Sequence, residues 1–213
     1  MAVFKTQIQD MIGTFDDDVA INQFLTDGAK ELINMMPSVL KEKCTTETTL
    51  NNSSTTMDMD GVGEILYVNR LSADSGGSRI PCRKVPSMYG ELSNDSNSLY
   101  KASETDPVYW ILSSGDAAIL NVIPTPTANQ TAIVYHVGHP SIAYGDTSIS
   151  NFPDEAEYLV PLRAAITAAE YQLAIEEDVD LYNQMIANLR AEYLYGVNAL
   201  KTGDLVRPQA QQK

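Results

Sequence analysis

The residues able to do chemistry are few, and their spacing serves it poorly. His136 and His139, within Tyr135-His136-Val137-Gly138-His139, are the two histidines of the 213-residue chain. On a strand, side chains three apart point to opposite faces, so these rings do not converge on one metal. Cys44 and Cys82 are the only cysteines, and no CxxC or Cys/His cluster accompanies them. That spacing leaves neither a zinc site nor a disulfide framework and predicts two reduced, partly buried thiols. No GxSxG elbow occurs, and Ser75-Gly76-Gly77-Ser78 is a loop signature without the GxxxxGK[ST] pattern of a phosphate cradle. Carboxylates cluster at Asp16/Asp17/Asp18, Asp58/Asp60, Asp154/Glu155 and Glu176/Glu177/Asp178. Such pairs can hydrolyse glycosides, but three of these clusters fall at expected helix ends, where capping and solvation explain them. Asp58-Met59-Asp60-Gly61 opens like a calcium loop, yet Glu64 follows too soon to close it. The expectation is a non-enzymatic protein with no catalytic residue, no metal and no cofactor.

Charge narrows the partners. Lys and Arg number 14 against 28 Asp and Glu, a net charge of −14, and the pI is near 4.4. A surface this acidic repels phosphate backbones and argues against groove-tracking nucleic-acid binding. Hydrophobic residues make up 44%, enough for a packed core and too many for a disordered chain. Eleven Tyr against four Phe and one Trp suit half-buried surfaces and subunit interfaces. Met1 to Asp10 lacks the pattern of a signal peptide, and no apolar run approaches the roughly 18–20 residues of a membrane span. A soluble protein made in the cytoplasm is expected. The exception to the acidity is the end of the chain, where Lys201, Arg207 and Lys213 face a single acid, Asp204. A basic, flexible end on an acidic body suits either docking onto a neighbour, with folding on binding, or a terminus that simply stays disordered and solvated.

The elements that position these residues change character twice. Lys5 to Ile12 reads as a short helix closed by Gly13. A longer helix opens at Asp16 to Asp18 and carries Ala20, Phe24, Leu25, Ala29, Leu32, Ile33 and Met36 at three- and four-residue steps until Pro37. Gly28, mid-helix, costs about 1 kcal/mol against Ala and marks a close helix contact. From Lys43 the chain turns to Thr, Ser and Asn. Period-two segments follow at 64–70, 79–85, 108–112, 117–123 and 131–137, with Ser113 to Asp116 as a hairpin turn and Pro124 to Asn129 joining the next pair. Residues 72–78 and 87–106 read as polar loops. After Asn151 the period is helical again, with Leu159, Leu162, Ile166, Ala169 and Leu173 on one stripe and Pro161 kinking the helix or moving its start. A tight connection at Asp178 to Asp180 leads to a second helix with Leu181, Met185, Leu189, Tyr193, Val197 and Leu200 on one face. The fold class is α+β: an N-terminal helical segment (1–42), an inserted antiparallel β-sheet or sandwich (43–150), a helical hairpin completing a bundle (151–202) and a flexible tail (203–213).

The combined pattern resembles the head–tail adaptor (connector) proteins of tailed bacteriophages, the ring beneath the portal. The carrying segments are Ala20 to Asn34, Val122-Ile123-Pro124-Thr125-Pro126 leading into Ala132 to His136, and Asp154-Glu155-Ala156-Glu157-Tyr158-Leu159-Val160-Pro161-Leu162 with Ala164-Ala165 after it. The resemblance implies a virion structural protein at the neck, made in the host cytoplasm. It implies self-association into a ring, typically of twelve copies, around a channel through which DNA passes without specific binding. The portal ring and tail or nozzle proteins are the partners it implies, with Leu205, Val206, Arg207 and Pro208 of the tail as the portal-docking residues. The insert 87–106 has no counterpart in that pattern. Two other readings compete. One is a neck or tail-completion protein binding the tail tube. The other is a β-sandwich glycan-binding module with an exposed platform of Tyr89, Tyr100, Tyr109 and Trp110.

Overall fold

A computed structural model of the chain describes residues 2–72, 77–114, 117–174 and 179–202. The protein is α+β and divides into two compact units, one of residues 1–44 with 139–213 and one of Thr45–Gly138. The first is helical. Helix α1 (Phe4–Ile12) buries Phe4, Ile8 and Ile12 at four-residue steps and ends where Gly13 takes φ +86°, a conformation glycine adopts without strain. Helix α2 (Asp18–Met35) starts from Asp17, whose side chain accepts the Ala20 amide at 3.0 Å. It stops because Pro37 holds Met36 extended. Its buried face is Ile21, Leu25, Gly28, Ala29, Leu32 and Ile33. That face is rotated slightly from the expected stripe, so Ala20 and Phe24 are only half-buried. A short helix α3 (Ser38–Lys41) and a 3-10 turn (Glu42–Cys44) lead out of the unit.

The chain returns at His139, earlier than the composition change at Asn151, and its irregular segment is laced to the first helices. The amides of Phe4 and Lys5, orphaned at the start of α1, donate to the carbonyls of Asp146 (2.9 Å) and Tyr144 (3.0 Å). The Tyr144 amide reaches Asn22 Oδ1 at 2.6 Å and that of Ile142 reaches Thr26 Oγ1 at 3.2 Å.

Later in the chain come β1 (Thr45–Leu50), β2 (Thr56–Asp58), β3 (Val62–Leu71), β4 (Arg79–Pro81), β5 (Arg83–Lys84), a five-residue helix α4 (Gly90–Asn94), β6 (Val108–Ser114), β7 (Ala117–Ile123) and β8 (Ala132–Gly138). Two four-stranded sheets form, with strand orders β1-β8-β3-β4 and β2-β7-β6-β5. All pairs are antiparallel except β5 with β6. Leu50, Val68, Ala132 and Val134 of one sheet share a core with Met57, Tyr109, Leu120 and Val122 of the other, which makes a sandwich. Strands β6 and β7 pair as a hairpin, Ser114 opposite Ala117. Strands β7 and β8 do not pair; residues 124–131 carry the chain from one sheet to the other. The segment expected as one strand over 79–85 is two, because Cys82 turns inward between β4 and β5.

The helices of the C-terminal part are α5 (Asp154–Glu157), α6 (Leu159–Leu173) and α7 (Val179–Thr202). Pro161 sits in the first turn of α6, where its missing N–H has no helical acceptor to lose, so the helix restarts there rather than bending. Helix α6 is buried nearly all round, from Leu159 to Ala169, and packs against α1, α2 and α7. Gly28 meets α6 closely: a Cβ there would lie 3.3 Å from Arg163 Cγ. The buried face of α7 is Ile186, Leu189, Tyr193, Gly196, Val197 and Leu200. Leu181, expected on that face, stands in solvent. Of the expected connection 178–180, Asp178 lies outside the described residues.

Candidate functional site

The candidates for catalysis that fall among the described residues hold places in the fold. Cys44 and Cys82 are free and buried, and burial pushes their thiols up to about 11 and about 12, so neither is a nucleophile near neutral pH. His136 is buried on β8, its Nε2 3.1 Å from Thr48 Oγ1 across the strand pair and its Nδ1 3.3 Å from the Val137 carbonyl oxygen. His139 lies beyond the strand, in the other unit. Asp17 caps α2, Asp18 pairs with Lys5 at 2.6 Å, and Asp58 accepts the Asp60 amide in a turn of its own. Glu176, Glu177, Asp178, Ser75 and Gly76 lie outside the described residues. Among the described residues no group of His, Cys, Asp and Glu is placed to hold a metal ion, and no helix is long and apolar enough to cross a membrane.

Two polar clusters, part-buried on the helices and centred on a buried arginine in the sandwich, escaped the sequence reading. On the helices, Arg163 Nε donates to Glu31 Oε2 at 2.7 Å and its Nη1 to Thr167 Oγ1 at 2.7 Å, while Tyr193 Oη donates to Glu31 Oε1 at 3.2 Å. Burial first, and then Glu31, raises the Tyr193 phenol well above the usual tyrosine range, so it stays protonated. In the sandwich Arg70 is 1% exposed. It donates to the Pro124 carbonyl at 2.8 Å and to Gln130 Oε1 at 3.1 Å, and Gln130 Nε2 in turn donates to Glu104 Oε1 at 3.0 Å. Both clusters spend their hydrogen bonds inward. They tie elements together and present no reactive group.

The surface carries the other candidates. The aromatic platform does not form, because Tyr109 and Trp110 are buried in the sandwich. Trp110 instead lies over Gly90 of α4, and only Tyr89 and Tyr100, their rings 4.7 Å apart, stay near the surface. On the helical unit, the outer side of α7 exposes Leu181, Leu194 and Tyr195. Helix α7 leads directly into the tail, whose candidate docking residues Leu205, Val206, Arg207 and Pro208 lie outside the described residues. In comparisons with known proteins, residues 2–210 match the family model described as SU10 adaptor protein. No curated protein matches.

Proposed function

The chain belongs to the SU10 adaptor family, and from that premise we propose that it is a virion structural protein, a head–tail adaptor forming a ring between portal and tail, with no enzymatic activity. The observation that carries the reading is the family match, which runs through both units and into the tail rather than over one of them. In this reading the helical unit is a bundle in which α6 and α7 form an antiparallel hairpin, and bundles of neighbouring copies stand side by side around the DNA channel. The acidic surface suits a wall over which a polyanion slides without sticking. The tail, basic on an acidic body, captures the portal through Leu205, Val206, Arg207 and Pro208, while the sandwich presents a platform to tail components.

The test is light scattering after size exclusion, on the protein alone and mixed with the portal ring of the same virion. Adaptor eluting in the portal peak with one copy per portal subunit supports the reading. Failure to enter that peak, together with co-elution with a tail-tube protein, makes it a tail-completion protein instead. Deleting residues 203–213 leaves the fold intact and abolishes portal binding; undiminished binding by the truncated chain sinks the docking role of the tail.

A further inference from the structure

An open sheet ends in two edge strands whose outward peptide groups lack a partner strand. Among the described strands the sandwich has four such edges, β1 and β4 in one sheet and β2 and β5 in the other. Three of them offer little. Strand β2 has three residues and β5 two. Strand β4 also has three, and its proline falls where it blocks the edge. The Cys82 amide donates to the Val68 carbonyl at 2.7 Å, and Arg70 lies opposite Ile80. The peptide groups of Arg79 and Pro81 therefore turn outward, and Pro81 has no N–H to offer there.

The fourth edge is open. Strand β1 runs six residues in unbroken register with β8 and contains no proline, lysine or bulge. Which of its peptide groups face outward follows from β8. The Leu71 amide donates to the Thr131 carbonyl at 2.8 Å, so Thr131, Ile133 and Tyr135 turn their peptide groups to β3. Ala132, Val134 and His136 then turn theirs to Leu50, Thr48 and Thr46 of β1. The N–H and C=O of Glu47 and Thr49 point off the sheet, and among the described residues no hydrogen bond answers them. Nor do side chains cover the edge. Glu47 and Thr49 are exposed in register with Tyr135 and Ile133, while Thr46 and Thr48, on the other face, are only half-buried.

We propose that the edge of β1 receives an extended segment of a tail component of the virion, which adds a fifth strand to the sheet. Two N–H and two C=O groups in strand geometry, two residues apart, are answered by the backbone of another strand. Side chains narrow the partner further. The added strand lies beside Thr48 on the inner face and beside Glu47 on the outer one. It therefore alternates apolar or β-branched residues with polar ones and carries Lys or Arg near Glu47. A second copy of β1 fits less well, since it brings another Glu47 to a contact between two chains each of net charge −14. The inference rests on the adaptor reading above and gives its platform a contact.

The test takes as probe tail particles of the same virion assembled without this chain, and measures binding of full-length wild type, Thr49→Pro and Glu47→Lys. Thr49→Pro removes an outward N–H and no bond to β8, so far-UV circular dichroism and the urea midpoint stay close to wild type. Wild type binds, Thr49→Pro binds at least about tenfold more weakly through the lost bond and the intruding ring, and Glu47→Lys about threefold more weakly. In the wild-type complex the Glu47 and Thr49 amides, fast to exchange in the free chain, become protected. Thr49→Pro binding as wild type does, or a complex that leaves those two amides unprotected, overturns the edge while the platform reading stands. If Thr49→Pro does not fold, the two amides and Glu47→Lys decide. Wild type that ignores the tail particles overturns the platform and the edge with it, and the portal mixture still tests the ring separately. A wild-type dimer in light scattering that Thr49→Pro abolishes makes a second copy the occupant and overturns the tail assignment.

Discussion

Three glycines are packed against side chains at three different distances, and alanine at each should rank accordingly. At Gly28 a Cβ meets the Cγ of Arg163 at 3.3 Å, the middle of a flexible side chain that can move by a few tenths of an ångström. The helix gains about 1 kcal/mol from losing glycine, so Gly28→Ala falls within about 0.5 kcal/mol of wild type. At Gly196 the Cβ lands 2.5 Å from Leu159 Cδ2 and 2.8 Å from Tyr158 Oη. Leu159 is fully buried and cannot step aside. Overpacking of about 2–3 kcal/mol outweighs the same helical gain, for a net loss of about 1–2 kcal/mol. Gly90 meets the indole of Trp110 at 2.3 Å, begins a five-residue helix with little propensity to gain, and loses about 3 kcal/mol. Urea unfolding followed with two probes separates the units. Far-UV circular dichroism follows the helices, and the fluorescence of Trp110, the sole tryptophan, follows the sandwich. For Gly90→Ala the fluorescence midpoint falls by about 2 M, taking a slope of about 1.5 kcal/mol per M. A Gly28→Ala variant less stable than Gly196→Ala refutes the premise that these helices are fixed by close approach at Gly196.

Other positions give sharper signs than magnitudes. Because burial raises both thiols, the folded state favours their protonated forms. Their contribution is complete below the ordinary thiol value of 9.0 and is lost as pH climbs toward about 11 for Cys44 and about 12 for Cys82. Accordingly, a disulfide-exchange reagent at pH 8 labels almost no thiol in the folded protein and both in urea; rapid labelling of the native chain contradicts the burial. Arg70→Ala leaves the Pro124 carbonyl and Gln130 without their donor and opens a cavity, costing about 3 kcal/mol by Trp110 fluorescence. Arg70→Lys keeps the charge but not the fork, and costs about 1–2 kcal/mol. Glu31→Gln weakens a part-exposed ion pair with Arg163, for a loss of about 0.5–1 kcal/mol by circular dichroism, and lowers the Tyr193 phenol toward its ordinary value in an ultraviolet pH titration.

How much of this was legible in the sequence follows from what periodicity encodes. Spacing of apolar residues reports which face is buried, so α1, α2, β3, β7 and β8 lie within a few residues of where Phe4, Leu25, Val68, Leu120 and Val134 put them. It does not report the phase of a helix whose ends are loosely packed. Leu181 and Met185 continue the stripe of α7 in sequence, yet the helix turns Ile186 inward and leaves Leu181 in water. Nor does periodicity reveal partners distant in the chain. Arg70 occupies an ordinary inward position of β3, and only the crossing of residues 124–131 between the sheets brings the Pro124 carbonyl and Gln130 to it. Glu31, Arg163 and Tyr193 likewise come from three helices and have no shared spacing.

The excursion between β5 and β6 is harder still. Met88, Leu92, Leu99 and Tyr100 recur with neither helical nor strand period among Ser and Asn, so the segment 87–106 reads as solvated. Yet the segment is fixed: the indole of Trp110 lies where a Cβ on Gly90 would be, and the Ala102 amide donates to the Ser93 carbonyl at 2.9 Å. Neither partner shares a period with the other, because a glycine under an indole is a contact between residues far apart in the chain, and spacing along the sequence reports only what lies on one face of one element.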